Sequence, residues 1–393
     1  MTQTQVAIVG AGPAGLLLAH LLDMQNIDSI VIEKHSRDHI ESRVRAGVLE
    51  QGTVDTLVDS GVGERLKREG LVHHGLELSF EGRRHRLDLH ELTGGRAITV
   101  YGQQEVIKDL IKARLDKGGQ ILFEAGDVSI DDPVSNKPSI RFRHNDELIS
   151  ITCDFVAGCD GFHGITRSWI GRDVLTIYEQ TWPFSWLGIL AKSKPPSSEL
   201  IYCNHSRGFA LFSMRSPEIT RLYVQCEPDD DLEHWPDERI WEELEMRLGA
   251  GDSIRLNEGP ILQKGISSMR SFVVEPLQYG RLFLAGDAAH IVPATGAKGM
   301  NLAVADVRIL ARALSEYYSS GGTELLDGYS DACLRRVWRA EQFSSWMTSL
   351  LHRFPDSTPF KRRLQLAELD YITSSRAASK VFAENYTGLP FDY

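Results

Sequence analysis

Four groups of residues in this 393-residue chain have types and spacings suited to chemistry. The first is Gly10-Ala11-Gly12-Pro13-Ala14-Gly15, which follows the apolar run Val6-Ala7-Ile8-Val9 and precedes a helical run over 16–22. Glycines at a strand-to-helix turn let the backbone approach a pyrophosphate, and the helix N-terminus presents N–H groups to it. A second strand-like run, Ser29-Ile30-Val31-Ile32, ends at Glu33, where a carboxylate can accept from ribose hydroxyls and would repel a 2′-phosphate. The spacing predicts FAD or NAD at this site, not NADP. The glycines alone are weak evidence; strand, helix and Glu33 carry the reading. Cys159-Asp160-Gly161 and Gly286-Asp287-Ala288-Ala289-His290 are the second and third groups. A plain NAD-dependent dehydrogenase would not need them, and with the fingerprint they describe one bound flavin.

The fourth group is a strand pair. Side chains alternate faces along a strand, so in the run 209–215 Ser213 and Arg215 point the same way. After the turn Ser216-Pro217-Glu218, Arg221 and Tyr223 share a face on the returning strand. A guanidinium and two hydroxyls could converge there on one anion, and an arginine fork suits a carboxylate. A solvated hairpin face is the alternative reading of the same pattern.

These groups must be held by a sizeable scaffold. A chain of 393 residues exceeds one core's usual size, and its 42% hydrophobic and 25% charged residues make an ordinary globular mixture. A formal charge of −11 argues against nucleic acid as a partner, so an anionic substrate needs a local basic site. The N-terminus shows no basic leader or long apolar segment, which predicts a cytoplasmic protein with no membrane span. Five cysteines without C-x-x-C spacing are expected as buried reduced thiols, not as metal ligands or disulfides.

The fold class expected is α/β, a Rossmann-like FAD-binding domain with a β-rich substrate domain and a helical C-terminal region. β-α-β signals fill the first 60 or so residues, followed by a hairpin over 76–87, a helix over 103–117 and strands over 121–123, 140–143 and 149–156. Strand-like runs broken by prolines occupy 178–265, and a long helix is expected over 299–318. The domains are drawn as 1–75, 98–177 and 266–345 for the cofactor, 76–97 and 178–265 for the substrate, and 346–393 as the helical end. Trp338, Trp346 and Met347 are expected in core or dimer contacts.

Several longer stretches carry a resemblance: Arg43-Val44-Arg45-Ala46-Gly47-Val48-Leu49-Glu50-Gln51-Gly52, Gly158-Cys159-Asp160-Gly161-Phe162-His163-Gly164, Arg270-Ser271-Phe272-Val273-Val274-Glu275-Pro276, Ala285 to Pro293, and Glu384-Asn385-Tyr386. Along essentially its whole length the chain resembles the flavoprotein aromatic hydroxylases. The resemblance implies hydroxylation of 4-hydroxybenzoate beside its phenol, using NAD(P)H and O2 through a flavin C4a-hydroperoxide, by a homodimer. It puts FAD on Gly10, Gly12, Ala14, Gly15, Glu33, Arg43, Arg45, Ala46, Gly47, Val48, Gln103, Asp160 and Asp287, and on backbone groups of Met300 and Asn301 at the start of the long helix. It puts the substrate carboxylate on Ser213, Arg215 and Tyr223, and the phenol on Tyr202 and Tyr386, with Ala294 and Thr295 alongside and His73 ending a proton chain. Tyr202, Tyr386 and His73 are thus the catalytic candidates. NAD(P)H, lacking its own fingerprint, would lie over Lys34, Arg43, Arg45, His163 and Arg270; the basic residues after Glu33 favour NADPH, while Asp38 and Glu41 in the same segment favour NADH, which should still be usable.

Two residues depart from the family pattern. Ala14 stands where relatives often carry serine, which matters little if the backbone holds the phosphate. Ala294 replaces a second proline after Pro293, which loosens the loop and puts coupling, not the reaction, in question. A flavin-binding module without turnover is the non-enzyme alternative.

Overall fold

The computed structural model describes residues 2–45, 47–248 and 256–391. Val6–Val9, Ser29–Ile32 and Phe155–Gly158 are all apolar or small and fully buried, as strands covered on both faces must be. They form the centre of a six-stranded sheet ordered Gln278–Tyr279, Leu282–Leu284, Phe155–Gly158, Val6–Val9, Ser29–Ile32, Gln120–Leu122, parallel except at Gln278–Tyr279. Helix Pro13–Asp23 packs against both Gln103–Asp116 and Gly299–Ser320. The strand-to-helix turn therefore opens at the C-terminal edge of this sheet, where α/β folds bind ligands.

A second sheet of eight strands runs in the order His290–Ile291, Ile261–Glu275, Thr176–Ala191, Ile219–Cys226, Ala210–Ser216, Leu200–Asn204, Gly75–Phe80, Arg83–Asp88. Helix Asp237–Leu248 covers one face, packing Trp241 and Leu244 with Phe212, Leu222 and Val224. The other face carries Leu78, Tyr202 and Leu211, packed with Met347, Leu369 and Phe382 of the C-terminal helices. Thr176–Ala191 and Ile261–Glu275 pair along their length, and the far end of the latter also pairs with His290–Ile291 beside the Gly286 turn. This ribbon ties the two sheets together. The boundaries drawn at 177/178 and 265/266 fall inside these two strands, and that at 345/346 inside helix Tyr329–Leu351.

Two expectations need correction. The single strand over 149–156 is two, Glu147–Thr152 in a four-stranded sheet and Phe155–Gly158 in the parallel one; the chain changes sheets at Cys153-Asp154. The region 178–265 also contains the helix Asp237–Leu248. Its signal was present: Pro236, acidic Asp237 and Glu238 in the first turn, and apolar residues at 240, 241, 244 and 248.

Candidate active site

The flavin-site motifs converge through positions that tolerate no side chain. A β-carbon at Gly10 would sit 2.3 Å from the Cys159 carbonyl oxygen and 2.8 Å from Asp160 Cα, so the fingerprint lies directly against the Asp160-Gly161 turn. One at Gly286 would stand 3.5 Å from Ala14 Cβ and 3.2 Å from Ala303 Cβ, bringing the third motif between the first helix and the long one. Gly15 is equally closed, with Gly10 O 2.0 Å from the missing β-carbon, whereas Gly12 faces open space. No side chain caps helix Pro13–Asp23 at Gly12 or helix Gly299–Ser320 at Lys298. Two uncapped helix N-termini with an open glycine between strand and helix fit a pyrophosphate and an electron-rich ring.

Glu33 is buried, and its two oxygens accept from Ala11 N and His35 N at 2.8 Å each, which aims the carboxylate while leaving lone pairs for a ribose. The Asp160 carboxylate is engaged differently: it accepts from Ile165 N, Thr166 N and Thr166 Oγ1, shaping the short turn Thr166–Trp169. Asn301 likewise uses its whole amide, accepting from Glu50 N and Thr53 Oγ1 and donating to Val48 O and Ala297 O. Its side chain clamps the helix to strand Val48–Glu50 and leaves only its backbone for a ligand. Gly47 packs on Tyr101 O, Gln103 is half-buried at the first position of its helix, and Met300 is half-buried in the first turn of the long one. Ala46 lies outside the described residues.

Asp287, Arg45 and Arg215 share a telling property. Solvent reaches all three, yet each lies deep enough for desolvation to dominate its titration. Burial pushes the Asp287 carboxyl up against the pull of His290, Arg45 and Arg43; burial pushes the Arg45 and Arg215 guanidinium groups down. Groups that are both deep and wetted line a cleft.

Across the second sheet the register sets Gly188, Tyr223, Leu211 and Tyr202 in one row, with Ser213 opposite Arg221 in the next. All four polar side chains thus share a face, as alternation demands. Tyr202 and Tyr223 are separated by one strand, about 10 Å at normal strand spacing. Arg215 is different: the ladder jumps from Met214↔Thr220 to Ser216↔Ile219, so it sits on a bulge that re-aims its side chain. It donates to the Arg45 carbonyl, across the gap between the sheets, and its buried Nε has no partner among the described residues. Arg221 stacks 5.0 Å over Tyr223.

Tyr202 and Tyr386 are fully buried, their hydroxyls 2.7 Å apart and their rings edge to face. Burial raises both phenols, so both stay protonated and can pass a proton between them. His73 makes no hydrogen bond to this pair: it is buried on strand Leu71–His73, with neither ring nitrogen partnered among the described residues. Ala294 is exposed in the short turn Ala294–Gly296; its carbonyl accepts from Ala297 N at 3.0 Å and retains a lone pair for a phenol. Thr295 is buried and accepts from Thr348 Oγ1 at 2.9 Å. His163 and Arg270 surround Phe162, the first edge to face and the second 4.8 Å over its ring, while Lys34 and Arg43 are exposed.

Sequence reasoning missed the groups that brace this site. Asp306 accepts from Gly286 N and pairs with His290 at 2.7 Å, both buried, anchoring the Gly286-Asp287 turn to the long helix. Burial disfavours the His290 charge, but facing Asp306 reverses this and its pKa rises. Lys298, the N-cap position of the long helix, is buried against Glu50 at 2.5 Å; burial lowers its pKa and Glu50 opposes the shift. An Asp on the core face of a helix and a Lys just before one were the available signals.

Burial of the neutral histidines has a consequence for stability. Desolvation holds His73 down to about 4 and His352 to about 3, against an ordinary 6.5. Below pH 6.5 the unfolded chain binds protons that the folded one refuses, so stability falls with pH until the folded values are reached. At about 1.4 kcal/mol per pH unit, His73 alone accounts for about 3 kcal/mol. Urea unfolding should lose stability less steeply between pH 6.5 and 4 in His73→Gln than in the native protein; parallel pH curves would contradict this.

Fold and cleft together define a protein built to hold FAD at the edge of a parallel sheet, facing a second sheet's polar row. A family model described as an FAD binding domain matches residues 3–344, and the chain belongs to that family. Within it, the chain is 48% identical over 390 residues to the p-hydroxybenzoate hydroxylase of Acinetobacter baylyi, covering 99% of this chain and 96% of that protein. It is 25% identical to a 3-(3-hydroxy-phenyl)propionate/3-hydroxycinnamic acid hydroxylase of Mycolicibacterium gilvum over 84% of this chain and 57% of that longer protein. The crystal structure of p-nitrophenol 4-monooxygenase PnpA from Pseudomonas putida superposes with a TM-score of 0.83 over 99% of this chain and all of that one, at 20% identity, a likeness of fold.

Proposed function

We propose that this protein is an FAD-dependent monooxygenase that hydroxylates 4-hydroxybenzoate to 3,4-dihydroxybenzoate with NADPH and O2. The likeness to p-hydroxybenzoate hydroxylase along the whole chain supports the reaction. The observation that carries the substrate is one sheet face with a buried, unpartnered arginine nitrogen at Arg215 and a buried phenol pair at Tyr202 and Tyr386. A molecule with a carboxylate at one end and a phenol at the other satisfies both. Arg215, Ser213 and Tyr223 hold the carboxylate; Tyr202 receives the phenol, and Tyr386 moves its proton onward toward His73. The Ala294 carbonyl accepts from the same phenol, beside Thr295.

Hydride acceptance from NADPH and activation of O2 are what FAD supplies when bound. The chain's part is to orient the ring, shed water and charge the phenol. The fingerprint glycines, Glu33, Arg45, Gln103 and Asp287 would hold the cofactor, with Met300 and Asn301 N–H groups at its ring. In the test, purified yellow protein consumes NADPH and O2 and yields 3,4-dihydroxybenzoate in proportion. A colourless protein would favour a dehydrogenase, and a yellow one inert toward phenolic acids a binding module.

NADPH is the preferred coenzyme in this reading, through Lys34, Arg43, Arg45, His163 and Arg270. Arg37 contributes less, since it is paired with Glu41 at 2.6 Å. Exposed contacts to a 2′-phosphate at about 0.5–1 kcal/mol each tilt the choice several-fold. The NADPH advantage in KM should shrink with salt and fall further in Lys34→Glu; equal KM values for both coenzymes at low ionic strength would remove the assignment.

The enzyme is read as a cytoplasmic homodimer. Phe360, Leu364 and Tyr371, 72%, 56% and 60% exposed at helical spacing on Pro359–Ser374, support a second copy as partner, and five buried unpaired cysteines support a reducing compartment. Among the described residues no helix is long and apolar enough to cross a membrane.

A further inference from the structure

Helix Arg376–Thr387 carries Tyr386 in its last turn, where a helix frays unless its carbonyls are held. Lys298 Nζ donates to Asn385 O and, at 3.2 Å, to Tyr386 O. The chain then turns at Gly388, with φ +90°, where a β-carbon would lie 2.2 Å from Glu50 Oε2. Every carbonyl from there to Pro390 is tied. Arg96 donates to Gly388 O at 2.9 Å, and Arg336 donates to Leu389 O at 3.1 Å and Pro390 O at 3.2 Å.

Phe391 ends this segment in a fitted seat. Its ring centroid lies 4.2 Å from the Arg308 guanidinium and 4.5 Å from that of Arg336, and its edge rests on Gly52, where a β-carbon would stand 2.3 Å from Cε2. Arg336 also lies 3.4 Å from Glu50, the carboxylate that pairs with Lys298. The half-buried seat of Phe391 and the end of the Tyr386 helix are therefore joined in one network through the buried Glu50–Lys298 pair.

We propose that residues 388–391 form a strap in which Phe391 and Arg336 are positioning residues: seating Phe391 locks the last turn of the helix and thereby sets the Tyr386 hydroxyl against Tyr202. The consequence for reaction rests on the phenol-relay reading above; the mechanical claim does not. A hydroxyl pair at 2.7 Å tolerates little displacement of either backbone.

The test compares native holoenzyme with Phe391→Ala and Phe391→Tyr. Amide exchange over 376–387 should quicken about tenfold or more in Phe391→Ala and return close to native in Phe391→Tyr. With 4-hydroxybenzoate bound, the phenol's absorbance titration should move to higher pH in Phe391→Ala and the share of NADPH oxidation ending as hydrogen peroxide should rise several-fold. Substrate affinity should hold, because Arg215 is untouched. Unchanged exchange in Phe391→Ala overturns the strap. Quickened exchange with a native phenol titration and native coupling overturns its link to Tyr386. If native enzyme itself leaves the bound phenol's titration unmoved, the relay reading fails, while the exchange comparison still judges the strap.

Discussion

Replacing Arg215 with alanine will leave FAD bound and raise the dissociation constant for 4-hydroxybenzoate by about thirtyfold or more. Removing one partner of a desolvated charge pair costs about 2–5 kcal/mol, and each 1.4 kcal/mol is about tenfold. Arg215 is suited to that role because its position on a bulge carries it off the regular ladder to the Arg45 carbonyl, leaving Nε buried and unpartnered beside Tyr223 and Arg221. A carboxylate entering there meets a guanidinium that burial has already deprived of part of its water. For the same reason 4-hydroxybenzyl alcohol, with its neutral head group, should bind native enzyme poorly. Flavin absorbance and substrate-perturbed fluorescence titrations measure both quantities, and an unchanged affinity in Arg215→Ala would sink the clamp.

Tyr202→Phe should bind substrate and allow flavin reduction at close to native levels, yet form little product and release the consumed O2 as hydrogen peroxide. A phenol with a pKa of about 10 is a poor nucleophile at pH 7, and ionising it there costs about 4 kcal/mol. In the function proposed here Tyr202 would lower that cost by donating to the developing phenolate, and its contact with Tyr386 at 2.7 Å would pass the proton on. Removing one oxygen leaves the ring's packing against Phe209 and Tyr386 in place, so folding should hold. The ratio of 3,4-dihydroxybenzoate to peroxide per NADPH is the readout. Native coupling in Tyr202→Phe would move the activating role to Tyr386.

Much of the cofactor half was legible in the sequence because its rules are local. A glycine that must carry no β-carbon, an apolar run buried on both faces and an acidic residue at the end of the second strand all act within a few residues of chain. The hairpin was legible only in part: a period of two puts Arg221 and Tyr223 on one face of their strand, but the register decides that Ser213 joins them, and a bulge takes Arg215 out of the alternation expected for it. Where local signals competed, the reading failed. A strand-like run over 149–156, apolar at alternate positions up to Cys153, hid a change of sheet at Cys153-Asp154, and a series of strand-like runs masked the helix Asp237–Leu248.

What the amino-acid sequence determined by itself, then, was the class of fold, the dinucleotide turn and a polar face able to grip an anion, each set by backbone sterics and side-chain period. Tertiary structure alone decided which groups meet. It brought Tyr386 to Tyr202 across 184 positions and Lys298 to Glu50 across 248. It placed Asp306 behind the Gly286 turn, spent the side chains of Asp160 and Asn301 on bracing, and gave the buried His73 ring no hydrogen-bond partner among the described residues. The physical reason is that a buried polar atom must find a partner in three dimensions, and the partner that satisfies it is chosen by packing, to which separation along the chain is indifferent.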